Sequence, residues 1–142
     1  MSKIRVALAM LGLVLGAARA EAQGYVVVVN AANPVTSIKK DRANGLFLKR
    51  ITRWENGNPV VPVNLDRTSA TREAFSRAVH GKSVSAIESN WQQQIFAGRA
   101  VPPAQRTSDA DVMSFVANNP DAIGYVTVGA TLAPGVKAVV VE

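Results

Sequence analysis

The residues best placed to do chemistry in this chain are Arg67, Thr68, Ser69 and Thr71. They follow a strand-like run, Val60–Leu65, and open a helix-like stretch. A strand-to-helix turn presents unpaired backbone N–H groups at the positive end of a helix dipole. Hydroxyls at such a turn add donors, and an arginine adds a planar fork suited to an oxyanion. The same residue types also fit a plainer role, in which Ser69 or Thr68 caps the helix and Arg67 is solvated. The sequence leaves both roles open.

Other chemistry finds little support. His80 is the only histidine and there is no cysteine, so a metal site would need carboxylates, and none cluster. No Ser-His-Asp set, carboxylate pair, P-loop or dinucleotide fingerprint is present. Asp109 and Asp111 sit where a helix starts, which capping and dipole effects explain. The expectation is a non-enzyme with no catalytic residue, no metal and no cofactor. Trp54 and Trp91 could line a cleft but read first as packing residues, since large aromatics dominate burial; Gln92–Gln94 could face a partner but read first as a solvated face.

The chain has 142 residues and a formal charge of +6, from 16 basic and 10 acidic residues. A mild positive excess suits anions in general. The basic residues are dispersed among few aromatics, and no run exceeds a pair such as Lys39-Lys40, which argues against nucleic acid. Lys3 and Arg5 precede an apolar run, Val6–Ala18, and two Ala-x-Ala sites, Ala18-Arg19-Ala20 and Ala20-Glu21-Ala22. This is the pattern of a secretory signal peptide. The run is too short for a good transmembrane helix. The expected division is residues 1–22 as signal peptide and 23–142 as one periplasmic domain, with no membrane insertion after cleavage. Without cysteine, core packing alone must hold that domain.

The elements that must position the turn alternate. Tyr25–Val29, YVVVV, reads as a strand buried on both faces. Ser37 is placed to cap a helix from Ile38 to about Leu48, with Ile38, Ala43, Leu46 and Phe47 as candidate apolar contacts. Asn56-Gly57-Asn58-Pro59 marks a turn. Val60–Leu65 is a strand, and Pro62 suggests a sheet edge. A helix runs to Val79 with Ala70, Ala74, Phe75, Ala78 and Val79 on one face. A second helix has Ser85 and Glu88 as a capping box and Val84, Ile87, Trp91 and Ile95 as a stripe. Gly98 stops it, and Arg99–Arg106, with Pro102-Pro103, is an extended loop. Ser108 caps a short helix ending at Asn118-Asn119-Pro120, and Ile123–Val128 and Val136–Val141 are the last strands. The expected fold is α/β, a small mixed or mostly parallel sheet flanked by helices, with Phe75, Trp91, Phe115 and the strand valines in its core.

The segment LFLKRITRWENGNPVVPVNLDRTSATREAF, Leu46–Phe75, followed later by Ile123-Gly124-Tyr125-Val126, resembles the phosphate-binding proteins of bacterial ABC transporters, which have the type 2 periplasmic binding fold. Leu46-Phe47, Ile51-Thr52-Arg53-Trp54, Val60–Val63, Arg67, Ser69, Thr71 and Phe75 occur in the family's order. Ala70 stands where the family has glycine, and Arg67 lies closer to Ser69. The resemblance covers about Val27–Val128 and implies one lobe of a protein that closes two lobes on its ligand. It also implies that Arg67, Thr68, Ser69 and Thr71 bind inorganic phosphate or a similar oxyanion weakly, with a membrane transporter or a second lobe as partner. The alternative is a non-enzymatic periplasmic interaction or sensory accessory that keeps the fold and has lost the ligand. If the chain is exported, mass spectrometry of the native protein should find its N-terminus at Gln23 or Glu21; a cytosolic form that retains Met1 would exclude export.

Overall fold

A computed structural model describes residues 24–142, so the expected signal peptide lies outside the described residues. The chain builds a six-stranded sheet: β1 Tyr25–Asn30, β2 Ser37–Ile38, β3 Val61–Leu65, β4 Ala104–Arg106, β5 Ala122–Thr127 and β6 Val136–Val141. Their spatial order is β2-β6-β1-β5-β3-β4. β1 lies antiparallel between β5 and β6, while β2 with β6, β3 with β5 and β3 with β4 are parallel. The sheet is therefore mixed, and the fold is α/β as expected. Four helices accompany it: α1 Lys40–Phe47, α2 Ala70–Phe75, α3 Val84–Phe96 and α4 Asp109–Ala117.

The central place of β1 explains its composition. Val27, Val28 and Val29 are fully buried because neighbouring strands pair with both edges and helices cover both faces. Asn30 ends the strand and is also buried. Its Nδ2 donates to the Val116 and Ala117 carbonyls, so it caps the last turn of α4 and ties that helix to β1. α4 lies close to the sheet at Gly124. A Cβ there would stand 2.8 Å from Val63 Cγ1 and 2.9 Å from Val112 Cγ1, which is why the Ile-Gly-Tyr strand needs a glycine.

Several local expectations give way to tertiary pairing. Ser37 does not cap a helix. Ser37 and Ile38 pair with Val140 and Val141 as β2, and α1 starts only at Lys40, with Lys39 at the cap position and no side-chain capping bond. Ile38 is buried as an apolar contact should be, but from a strand rather than a helix. Ala43, Leu46 and Phe47 do turn inward. β3 is not an edge strand, because β4 lies beyond it. The Val61 N–H points to β5 and bonds to the Asp121 carbonyl, so the ring nitrogen of Pro62 points the other way. β4 begins to pair only at Val63, and no ladder bond is lost at the proline. β4 itself forms the end of the segment expected to be only loop.

The helix after the turn is α-helical through Phe75 and continues as a single π-turn, Ser76–His80, which Gly81 ends at φ +65°. Phe75 and Val79 are buried, Ala74 and Ala78 half-buried, and Ala70 exposed. α3 is capped by Ser83, whose Oγ accepts the Ala86 N–H, rather than by Ser85. The expected capping partner, Glu88, reaches across to Arg72 instead. Ile87 and Trp91 form a small cluster with Leu48, separate from the main core. Ile95, expected in the same stripe, is half exposed because the last turn of α3 runs past that cluster. Phe115 is only partly buried, under the Arg106 guanidinium at 4.9 Å. Trp54 is buried beside its turn, and its indole N–H donates to the Asp121 carbonyl. Trp91→Ala should destabilise the protein by about 3–5 kcal/mol; a denaturant midpoint unchanged by the substitution would show that the Leu48–Ile87–Trp91 cluster contributes nothing.

Candidate functional site

β3 delivers the chain to the turn, and the first turn of α2 is fixed from below. Phe75 stacks on Tyr125 with 3.9 Å between centroids and 10° between planes, while Phe47 and Tyr25 meet it edge-on. The Tyr125 hydroxyl donates to Asn64 Oδ1, and burial pushes its phenol above the ordinary tyrosine range. Arg72 provides a second anchor. It is 3% exposed, and its guanidinium donates to the Leu65 carbonyl at 3.3 Å and to Glu88 at 2.6 Å. One side chain thus joins the end of β3, the start of α2 and the middle of α3.

Within the turn, Asp66 Oδ1 accepts both the N–H and the hydroxyl of Thr68, at 3.0 and 2.7 Å. The Thr68 hydroxyl, donating to it, holds the Asp66 carboxyl below the usual carboxylate range. Ser69 is the N-cap, and its Oγ accepts the Arg72 N–H at 3.1 Å. The Ser69 N–H bonds back to the Asp66 carbonyl, and the Glu73 N–H goes to the Ser69 carbonyl. Helix geometry then leaves the Ala70 and Thr71 N–H groups without a partner among the described residues. The Thr71 hydroxyl meets that of Thr127, at the end of β5, at 2.8 Å. Only one of that pair donates to the other, so one hydroxyl proton remains to give. Ser69 Oγ, used only as an acceptor, keeps its proton too.

The four sequence candidates therefore divide. Ser69 and Thr71 stand together with free donors. Arg67 and Thr68 are exposed beside them and line an open hollow of about 410 Å³ that also contains the carboxylates of Glu73 and Glu88. On the other side, Asp109 Oδ1 accepts the Thr127 N–H. Two neighbours escaped the sequence reading. Thr127 lies near the turn only because β5 pairs beside β3. Arg72 did leave a trace: at i, i+3 and i+7 with Phe75 and Val79, it is a charge on an apolar helix face.

His80 closes the π-turn after α2. It packs edge-on against Phe75 at 5.4 Å, and its Nδ1 lies 2.7 Å from Asn44 Oδ1. A neutral ring with its proton on Nδ1 donates that bond. Burial, and then the cations of Arg72, Arg50 and Lys82, push its pKa down to about 4.

The sequence profile of the PBP superfamily domain matches residues 21–140. The chain belongs to that superfamily. Solved structures agree with this PBP assignment. An ABC-type phosphate transport receptor from Vibrio cholerae superposes with a TM-score of 0.66 at 23% identity, covering 84% of this chain and 46% of the receptor. A Clostridium perfringens protein assigned as a phosphate ABC transporter substrate-binding protein, with phosphate bound, gives 0.65 at 24% identity, covering 83% and 44%. A Planctomyces limnophilus protein assigned as phosphate-binding gives 0.64 at 19%, covering 84% and 41%. The PBP chain thus spans less than half the length of these relatives and matches one lobe of their fold. A search of the curated proteins found no match.

The half-buried His80 should give this lobe a pH dependence. Its folded pKa of about 4 lies below the ordinary histidine value of 6.5, so on acidification the unfolded chain takes up the proton first. Stability present above pH 6.5 is lost as pH falls toward 4. About 2 kcal/mol should disappear between about pH 7 and pH 5. Denaturant titrations at the two pH values should show this loss in the wild type and a much smaller one in His80→Gln; equal losses would assign the dependence elsewhere.

Proposed function

We propose that this PBP domain is a non-enzymatic solute-binding module that takes phosphate or a similar oxyanion at the Arg67–Thr71 turn. The observation that carries the reading is the set of unspent donors: the Ala70 and Thr71 N–H groups, the Ser69 hydroxyl and one hydroxyl of the Thr71–Thr127 pair. Arg67, exposed in the same turn, adds a cation. The phosphate carried by the Clostridium perfringens relative supports the choice of anion. Asp66 and Asp109 border the same donors, so they favour an oxyanion that still carries a proton, as phosphate does at neutral pH and sulfate does not.

The reading places the domain, residues 23–142, outside the cytoplasm, after residues 1–22 have been removed as a signal peptide. Water reaches the far side of an anion held by one lobe. Each charge-assisted bond is worth about 1.5–3 kcal/mol when well made and less when solvent competes. Two or three such bonds, less the association cost, give a dissociation constant of order ~0.1–10 mM. Tighter binding would come from a second lobe, with a membrane transporter as the further partner.

A second reading rests on the turn's own carboxylate. Asp66 already occupies the Thr68 N–H and hydroxyl, and the neighbouring Glu73 and Glu88 are already paired with Arg77 and Arg72, so much of the turn's polarity is spent within the protein. An accessory domain that keeps the fold without the ligand would look like this. Isothermal titration decides between them. Phosphate should bind the mature protein in the millimolar range and sulfate more weakly. Arg67→Ala should weaken phosphate most. Ser69→Ala should weaken it less and lower stability by about 0.5–2 kcal/mol, because it also removes the cap. Equal binding by wild type and Arg67→Ala, or none at ~20 mM phosphate, would leave the accessory reading standing.

A further inference from the structure

A second cavity lies away from the turn, between β2, the start of α1 and the Trp54–Asn56 turn, with a volume of about 480 Å³. Ligand sites for small molecules begin at about 300 Å³. Its apolar wall is made by Val35, Ile38 and Trp54, the last two buried. Its polar end is made by Asn33, Lys39 and Arg42. Asn33 is 9% exposed. Its Oδ1 accepts the Val35 N–H, and its Nδ2 has no partner among the described residues. That amide is nonetheless not sealed from solvent, because no buried side-chain polar atom among the described residues lacks a partner. Asn33 is one of the residues lining the cavity.

The start of α1 borders the same cavity through Lys39 and Arg42. Lys39 occupies the N-cap of α1 and offers no capping bond. The Lys40 N–H bonds to the Glu142 carbonyl and the Ala43 N–H to Lys39, which leaves the Asp41 and Arg42 N–H groups unpartnered among the described residues. Lys39 and Arg42 form no salt bridge among the described residues. The cavity thus combines an apolar wall with the Asn33 amide and two cations without a salt-bridge partner among the described residues. The exposed carboxylates of Glu55 and Glu142 also line the cavity, which disfavours a multiply charged anion there.

We propose that this cavity is a binding site for a small monocarboxylate with an apolar or aromatic body. The carboxylate would meet the α1 N-terminus, Arg42 and Asn33 Nδ2, and the body would lie on Trp54 and Val35. The test is an amide-resolved NMR titration of the mature domain with phenylacetate. The Asp41 and Arg42 amides and the Trp54 indole N–H should shift together and saturate in the millimolar range, on the order of ~1–10 mM. Arg42→Ala should weaken binding about tenfold or more, while Arg67→Ala should leave it unchanged. Phenethylamine, which keeps the ring and lacks the carboxylate, should not shift these signals, and neither should inorganic phosphate. The proposal is overturned if phenylacetate gives no saturable shift at ~20 mM, if Arg42→Ala binds as the wild type does, or if phenethylamine or phosphate titrates the same signals.

Discussion

Everything at the turn depends on where Phe75 sits. Its ring lies flat on Tyr125 and meets Phe47, Tyr25 and His80 edge-on. These contacts join α1, α2, β1 and β5 into one unit, and each pair adds about 0.5–1.5 kcal/mol beyond the area it buries. Phe75 is also the last α-helical residue of α2, one and a half turns from Ser69. Fixing it fixes the direction of the short helix and therefore the direction of its free N–H groups. So short a helix would not hold its shape alone, because nucleation is costly and few bonds follow it.

Arg72 complements this packing with polarity. A buried guanidinium is costly unless every contact is well made. Here it has the Leu65 carbonyl and the Glu88 carboxylate, and Glu88 also accepts from Gln105 on β4. The network therefore runs from β3 through α2 to α3 and the sheet edge. Apolar residues of similar volume would fill the same space, but they would not specify which strand end faces which helix start. Glu73 does similar work nearby, accepting the Val84 N–H at the first turn of α3 and pairing with Arg77.

The turn itself balances two demands. A strand-to-helix junction leaves donors that must be satisfied by protein, water or ligand. This chain satisfies some internally, through Asp66 and the Ser69 cap, and leaves others open. Ala70 adds a Cβ where the phosphate-binding family has glycine, and any ligand at the proposed site would be held further from the backbone than glycine would allow. A shared fold therefore does not transfer affinity. That is set by which donors remain free and how much water they face.

The sequence by itself determined the elements whose signal is local. The YVVVV run, the Asn56-Gly57 turn, the Ser69 and Ser108 caps and the helix containing Phe75 are all where pattern and capping chemistry put them. The ordered motifs from Leu46 to Tyr125 were enough to indicate one lobe of a PBP fold, because those residues pack against each other across the sheet. Tertiary structure decided the rest. Ser37-Ile38 became a strand because β6 offered an edge, and that pairing outweighed a weak helix start. Glu88 left its capping box because a buried arginine needed it more. Thr127 joined the turn because β5 runs beside β3, a neighbour relation separated by 56 residues from Thr71. Sequence periodicity reports which face of an element is apolar; it does not report which element comes to lie against that face, and the donors of this site are assembled by that second choice.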